Sequence, residues 1–568
     1  MSLQPIYNIA DICGRHGLEQ AILSPGSRCA PISLGFTRHP DIICRTISDE
    51  RSAAFIALGI SQRLKKPSVL VCTSGSAAYN YAPAVAEAFF QQVPLIIITA
   101  DRPPELIDQL DGQTIRQTNI YGNHVKKSYT LPVDHEHPDA AWHTARVISE
   151  GINLSQEYPR GPVHINVPLR EPLYNDHEIT FDKEVKIITA TPASAALTDG
   201  TWDELIDQWK AFKRILIVGG QDVINKKLEA ALENLIKEHK IPIVGDIISN
   251  LHPVQDVIKH ADIFIGQDKN GLKESLQPNL LVTFGKSIIS KNLKQLLRNY
   301  KPTAHWHIQP AGYSADTYMS LTKIIQADSD TFFTKLAQIE LAPSFDNQKQ
   351  ENFYHIWQIE ERKTLRQLQK FFPQQPLGEF ELIYEIINKL PDHCNLHLAN
   401  SMAVRYANFV GLNNPTIEVF ANRGTSGIDG SSSTAVGHCL GSEKLNVLIT
   451  GDLAFFYDRN AFWHNYDMKN LRIVLLNNHA GGIFRIINGP NKLPELEEYF
   501  ETKQTLNGRL TAEEFGFDYL KCDKRSKLNN FIKEFFDIGT SPKILELESV
   551  SEDNAAILRG FKEMVKDT

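Results

Sequence analysis

Three stretches of the chain repeat one pattern, in which a short β-branched run ends at Gly, Asp, Asn or Ser and a segment of helical periodicity follows. That alternation is the mark of parallel α/β layers, and it predicts an α/β protein of three doubly wound parallel-sheet domains. The first stretch offers strands at Gln20–Leu23, Ser68–Cys72, Pro94–Ala100 and Val163–Val167, with helices over Asp49–Leu64 and Ala77–Gln91. The second offers Ile215–Gly219, Ile241–Val244, Ile263–Gly266, Leu280–Phe284 and His305–Ile308. In the third, Leu396–Ala399, Ile417–Phe420, Val447–Thr450, Ile473–Leu476 and Ile544–Leu547 carry polar residues at nearly every exit. Polar, proline-broken linkers at Thr189–Thr201 and Ala342–Glu351 divide the chain into 1–185, 195–342 and 350–568. A length of 568 residues agrees, since it exceeds one hydrophobic core.

Ligands of doubly wound sheets bind at the carboxyl ends of the strands, so the polar exits of the first and third stretches are where chemistry is expected. Composition narrows the partners. A net charge of -8 argues against a general nucleic-acid binder, and the longest apolar runs, such as Val93–Ala100, are too short to cross a bilayer. Seven cysteines stand singly, without C-x-x-C pairs, and the amino terminus, which holds Asp11 and Arg15, reads as no signal peptide. Cytoplasm is the expected location.

Gly451-Asp452-Leu453 follows one predicted strand of the third stretch, and Asn477-Asn478 follows the next. The Asp452 carboxylate, the Asn478 amide oxygen and the Ala480 carbonyl would give three hard oxygens, and a diphosphate and water could complete a Mg²⁺ octahedron. Each dipeptide alone is an ordinary turn signal, and Gly245-Asp246 and Asn413-Asn414 occur here too. Asp452 and Asn478 differ in having the separation and strand context of the thiamine diphosphate motif, G-D-x followed by about 25 residues and N-N.

Ser48-Asp49-Glu50-Arg51 opens a predicted helix. Glu50 there is a first-turn acid favoured by the helix dipole, or, if the cofactor is thiamine diphosphate, the carboxyl group that must bond N1' of its aminopyrimidine.

A longer series carries a resemblance: SPGSR at Ser24–Arg28, SDERSAAF at Ser48–Phe55, CTSGSAA at Cys72–Ala78, TADRPPEL at Thr99–Leu106 and GQTIRQ at Gly112–Gln117. NSMAVR at Asn400–Arg405, NRGTSGIDG at Asn422–Gly430 and GDLAFFYD at Gly451–Asp458 continue it. In this order the motifs resemble those of the 2-succinyl-5-enolpyruvyl-6-hydroxy-3-cyclohexene-1-carboxylate synthases, thiamine diphosphate-dependent transferases of menaquinone biosynthesis. The resemblance implies a homodimer or homotetramer using thiamine diphosphate with Mg²⁺ or Mn²⁺. It further implies decarboxylation of 2-oxoglutarate and 1,4-addition of the succinyl unit to isochorismate. Ser426, Gly427, Ile428, Gly451 and Leu453 would then lie against the cofactor beside the metal ligands Asp452, Asn478 and Ala480. Arg405 and Arg423, with Ser401, would hold the distal carboxylate of 2-oxoglutarate. Ser27, Arg28, Arg102, Gln113 and Lys291 would hold isochorismate, with Ile483 and Phe484 as its apolar wall. Guanidinium forks suit two dicarboxylate substrates.

Bland readings stand beside several of these. Lys291 lies in a lysine-rich run, Ile428 could be a core residue, and Ile483 and Phe484 could be packing. Gly112 stands where the family commonly has Asn, and Ala480 where it has Gly, while His479 and Arg485 are unusual beside such a pocket. Another thiamine-dependent 2-oxo acid decarboxylase would share Glu50, Asp452 and Asn478 without needing the four arginines together. A non-catalytic binding protein on the same fold would have no use for Glu50 and Asp452. No predicted strand leads into G-x-G-x-x-G, which argues against a dinucleotide enzyme.

Overall fold

The computed structural model describes residues 3–174, 178–191, 196–267, 269, 271–339, 347–487 and 489–566. Parts of both predicted linkers, 192–195 and 342–346, lie outside the described residues. Within them the chain forms three sheets, in which every strand pairing is parallel.

The first sheet comprises β1 (Gln20–Leu23), β2 (Ile43–Thr46), β3 (Ser68–Cys72), β4 (Leu95–Asp101), β5 (Ser128–Thr130) and β6 (Pro162–Pro168), in the order β2-β1-β3-β4-β6-β5. The second comprises β7 (Ile215–Gly219), β8 (Ile243–Gly245), β9 (Leu280–Phe284), β10 (Ala304–Gln309) and β11 (Lys323–Gln326), in the order β11-β10-β9-β7-β8. The third comprises β12 (Asn395–Leu398), β13 (Glu418–Phe420), β14 (Asn446–Gly451), β15 (Leu471–Asn477), β16 (Asp518–Cys522) and β17 (Lys543–Glu548), in the order β13-β12-β14-β15-β17-β16. The first and third sheets thus follow one permutation, and the second repeats its first four strands.

Central strands are apolar because helices cover both faces: β3, β4, β6, β9 and β15 are buried at every residue. Two sequence expectations need correction. Of the predicted strand Ile263–Gly266, Ile263–Ile265 lies in the helix Ala261–Ile265 and Gly266 caps its end. A buried four-residue apolar run has no periodicity to separate the two. The predicted helix Ala77–Gln91 is two helices, Ser76–Asn80 and Ala82–Gln91, broken where Pro83 enters the first turn of the second.

The first and third domains meet along the helices Glu50–Leu64 and Ser431–Leu440. Glycine permits this approach: a Cβ on Gly59 would lie 2.2 Å from the Thr434 carbonyl oxygen, and one on Gly437 2.1 Å from that of Ile56. Asn250 joins the second domain to the third by pairing both its amide atoms with the backbone of Val419 on β13.

Candidate active site

Adjacent strands set up the first cluster. β14 and β15 pair with Gly451 opposite Leu476, so the chain leaves them side by side into Asp452 and into Asn477-Asn478. Asp452 is buried; its Oδ1 accepts from the Leu453 N–H at 2.8 Å and its Oδ2 from Gln504 Nε2 at 2.9 Å. Gln504 also donates to Asn477 Oδ1 at 2.9 Å, which clamps the two strand exits together. Asn478 gives its amide nitrogen to Glu379 at 2.7 Å, while its Oδ1 accepts from the Ala480 N–H at 3.0 Å. One lone pair of that oxygen is left for a further partner.

Burial pushes Asp452 up to about 6 and Glu379 up to about 7, and the Asp452 charge adds to the rise at Glu379. Buried carboxyl groups held this high favour a cation beside them. Carboxylate, amide and carbonyl oxygens are the hard donors a divalent ion such as Mg²⁺ takes. Among the described residues no three His, Cys, Asp or Glu side chains converge as a cage. A site completed by phosphate and water needs none.

The second cluster stands at the exits of β12 and β13. Asn400 donates to the carbonyls of Asn422 and Gly427, both at 2.7 Å, and its own Oδ1 accepts from Arg423 at 2.7 Å. Arg405 donates to the Ser401 carbonyl at 2.6 Å. Ser401 and Ser426 both hold positive φ, 74° and 62°, in the sharp turns that present this segment. Burial lowers both guanidiniums from their usual values, and Arg423 lowers Arg405 further. Two cations drawn together in a buried place form a seat for an anion.

Sequence reasoning missed three residues here. Glu87, buried on the first-domain helix Ala82–Gln91, accepts from the Gly424 and Thr425 N–H groups at 2.7 and 2.6 Å and from the Thr425 hydroxyl at 2.5 Å. It holds the loop that carries Arg423 to Ile428. An acid amid the apolar run of that helix was the available signal. Lys294 lies in the field of the two arginines: burial lowers it, and Arg423, Arg298 and Arg405 push the same way against Asp246. Lys291 is exposed in the first turn of its helix. Gln504 lies too far along the chain for any motif to reach.

Ile428 and Ile483 are half-buried against the third-domain core, and the Phe484 ring lies 5.6 Å from that of Phe500. Arg485 has a structural place. Its Nε lies 2.7 Å from the buried Glu501, its Nη2 bonds Glu497 at 3.2 Å and meets Glu552 at 2.5 Å, which ties the Ile483-Phe484 segment to the following turn and the last helix. His479 takes positive φ at the turn, and its carbonyl accepts from the Gln504 N–H.

The third cluster lies at the exits of the first sheet. A cleft of about 490 Å³ is lined by Gly26, Glu50, Thr73 to Ala77, Asp111 and Gln113 among others, all of the first domain. Glu50 begins its helix behind the Asp49 cap, and Asn80 donates to its Oε2 at 3.3 Å. Gln117, wholly buried, accepts from the Gly75 N–H at 2.8 Å and donates to Ala100 and Asn166, both at 3.0 Å, fixing the cleft's floor. Arg28 follows β1 and Arg102 follows β4, and the same Glu171 oxygen lies 3.1 Å from one and 3.9 Å from the other. Ser27 is exposed beside them. A larger cavity of about 600 Å³ opens at the exits of the second sheet and touches none of the predicted site residues.

Comparison with known proteins agrees with this geometry. The family model described as thiamine pyrophosphate enzyme, N-terminal TPP binding domain, matches residues 8–120, and that of the middle domain of thiamine pyrophosphate enzymes matches residues 187–398. The chain is therefore a thiamine diphosphate enzyme, one that works with a divalent metal ion. It is 45% identical to the 2-succinyl-5-enolpyruvyl-6-hydroxy-3-cyclohexene-1-carboxylate synthase of Cytophaga hutchinsonii, over 100% of both chains. It is 39% identical to that of Flavobacterium johnsoniae over 98% of each, and 37% to that of Phocaeicola vulgatus over 99% of this chain and 98% of the other. The chain belongs to this synthase family. Among the described residues no helix is long and apolar enough to cross a membrane.

Proposed function

We propose that the chain decarboxylates 2-oxoglutarate and adds the succinyl unit to isochorismate in a 1,4 fashion, with thiamine diphosphate and Mg²⁺. One observation carries the reading: Gln504 clamps the Asp452 and Asn477-Asn478 strand exits into a single hard-oxygen site, on a chain similar from end to end to synthases of this name.

In this reading Asp452, Asn478 and the Ala480 carbonyl would hold the metal, whose charge would offset that of the cofactor's diphosphate. Gly451 and Leu453 flank it, and Ser426, Gly427 and Ile428 lie against the rings. Bound thiamine diphosphate would supply the electron sink that decarboxylation of a 2-oxo acid and acyl transfer require. Glu50 holds and returns a proton at N1' of the aminopyrimidine. Arg405 and Arg423, with Ser401, bind the distal carboxylate of 2-oxoglutarate. Ser27, Arg28, Arg102, Gln113 and Lys291 bind isochorismate, and Ile483 and Phe484 exclude water from it.

The domains are 1–185, 195–342 and 350–568. The cleft around Glu50 is lined by first-domain residues alone, which supports a homodimeric unit, alone or paired into a tetramer, in which each cleft is completed by Asp452 of another copy. Seven free cysteines support a cytosolic setting.

Incubation with thiamine diphosphate, Mg²⁺, 2-oxoglutarate and isochorismate tests the reaction. The succinylated cyclohexene product is expected, and CO₂ release from pyruvate in preference to 2-oxoglutarate would contradict it. Mixing Glu50→Gln with Asp452→Ala tests the assembly. Restored turnover after subunit exchange is expected, and none despite demonstrated exchange would place both residues of a site on one chain.

A further inference from the structure

Arg28 is held on two sides. One Nη donates to the Leu169 carbonyl at 3.0 Å and the other to Glu171 Oε1 at 3.1 Å. Arg102 lies 3.9 Å from the same Glu171 oxygen and 3.7 Å from Asp111, and it donates to the Gly112 carbonyl at 3.0 Å. The partners are unequal. Arg28's side chain is 6% exposed, whereas that of Glu171 is 71% exposed. A walled-in guanidinium is thus paired with a carboxylate on a flexible stem that stands mostly in water, and such a carboxylate loses little when it swings out.

We propose that Glu171 is an internal competitor for the anion seat formed by Arg28 and Arg102, displaced when a carboxylate of the acceptor substrate takes its place. The proposal rests on the reading that these arginines bind isochorismate. Two guanidiniums within reach of one oxygen repel each other, and the Glu171 charge between them occupies the seat until another anion arrives. An incoming anion must outcompete that charge. One with a single weak contact gains little over the internal carboxylate, whereas one with a second foothold in the cleft displaces it. Glu171 therefore sets the threshold for the acceptor, a specificity-determining role.

Steady-state kinetics of the full-length enzyme, at saturating 2-oxoglutarate with isochorismate varied, test this. Glu171→Gln is expected to lower KM for isochorismate about twofold to fivefold with kcat unchanged, and to lower the competitive inhibition constant of inorganic phosphate by a similar factor. If Glu171 served instead to orient Arg28, the variant would raise KM. A raised or unchanged KM overturns the proposal. Arg28→Ala separates the two possible failures. If that variant keeps the parent KM, Arg28 does not bind the acceptor and the underlying reading fails. If it raises KM while Glu171→Gln does not lower it, only the competitor role is lost.

Discussion

The first and third sheets share one strand order yet present opposite surfaces at their exits. Leaving the first sheet, the chain carries Glu50 to a wide cleft and Arg28, Arg102 and Glu171 into a shared ion cluster, with Glu50 and Glu171 open to solvent in part or for the most part. Leaving the third, it carries Asp452 and Asn477 buried, with Asn478 beside them, in a bonded cluster, and two half-buried arginines. The open cleft suits an exchange of protons and of an acceptor, and the closed cluster suits a metal and a diphosphate held throughout turnover. One topology serves two tasks because strand order fixes only where the exits are, while the residues there decide what they bind.

The largest effect expected belongs to the open side. Glu50→Gln preserves shape but cannot hold the proton at the aminopyrimidine, so turnover should fall about a hundredfold to ten-thousandfold. Hydrogen exchange at C2 of bound thiamine diphosphate measures it, and an unchanged rate would remove Glu50 from the mechanism.

On the closed side, Arg405→Ala removes a charge-assisted contact worth roughly 1.5 to 3 kcal/mol, about tenfold to a hundredfold in 2-oxoglutarate affinity. Pyruvate, which lacks the distal carboxylate, should be spared. Equal losses for both acids in stopped-flow decarboxylation would contradict the assignment. Gln504→Ala frees the two strand exits without removing a metal ligand. Mg²⁺ affinity should drop about tenfold, at the low end for an outer-shell partner, and titration of the apoenzyme would show it.

The smallest effect returns to the open side. Nothing lies within 4 Å of a Cβ built on Gly112, so Gly112→Asn should fold unchanged. Restoring one polar contact should lower KM for isochorismate about twofold to tenfold. A higher KM would mean that the space beside Gly112 is used by the substrate itself.

Much of this contrast was legible in the sequence, and the residues that escaped share physical reasons. The covered strands β3, β4, β14 and β15 announce themselves as apolar runs, and Asp452, Asn478 and Glu50 follow from motifs at or beyond strand exits. The strands that went unread, β2, β5, β11 and β16, all lie on sheet edges. There one side faces solvent and the residues are mixed, as in Ile-Cys-Arg-Thr of β2, so no run stands out. Gln504 and Glu87 act across long sequence distances and carry no local pattern beyond a polar residue in an apolar setting. Of the arginine assignments, Arg405 and Arg423 lie in one field and Arg28 and Arg102 meet at one glutamate, a pairing that spacing alone could not reveal.

The division of labour between the two sheets is tested most directly by calorimetric titration of thiamine diphosphate, with Mg²⁺ present, into the parent, Glu50→Gln and Asp452→Ala proteins. The account predicts that Glu50→Gln binds within a fewfold of the parent while Asp452→Ala loses affinity beyond the roughly hundredfold that an outer-shell change reaches. Parent-like binding by Asp452→Ala, with binding lost in Glu50→Gln, would contradict it.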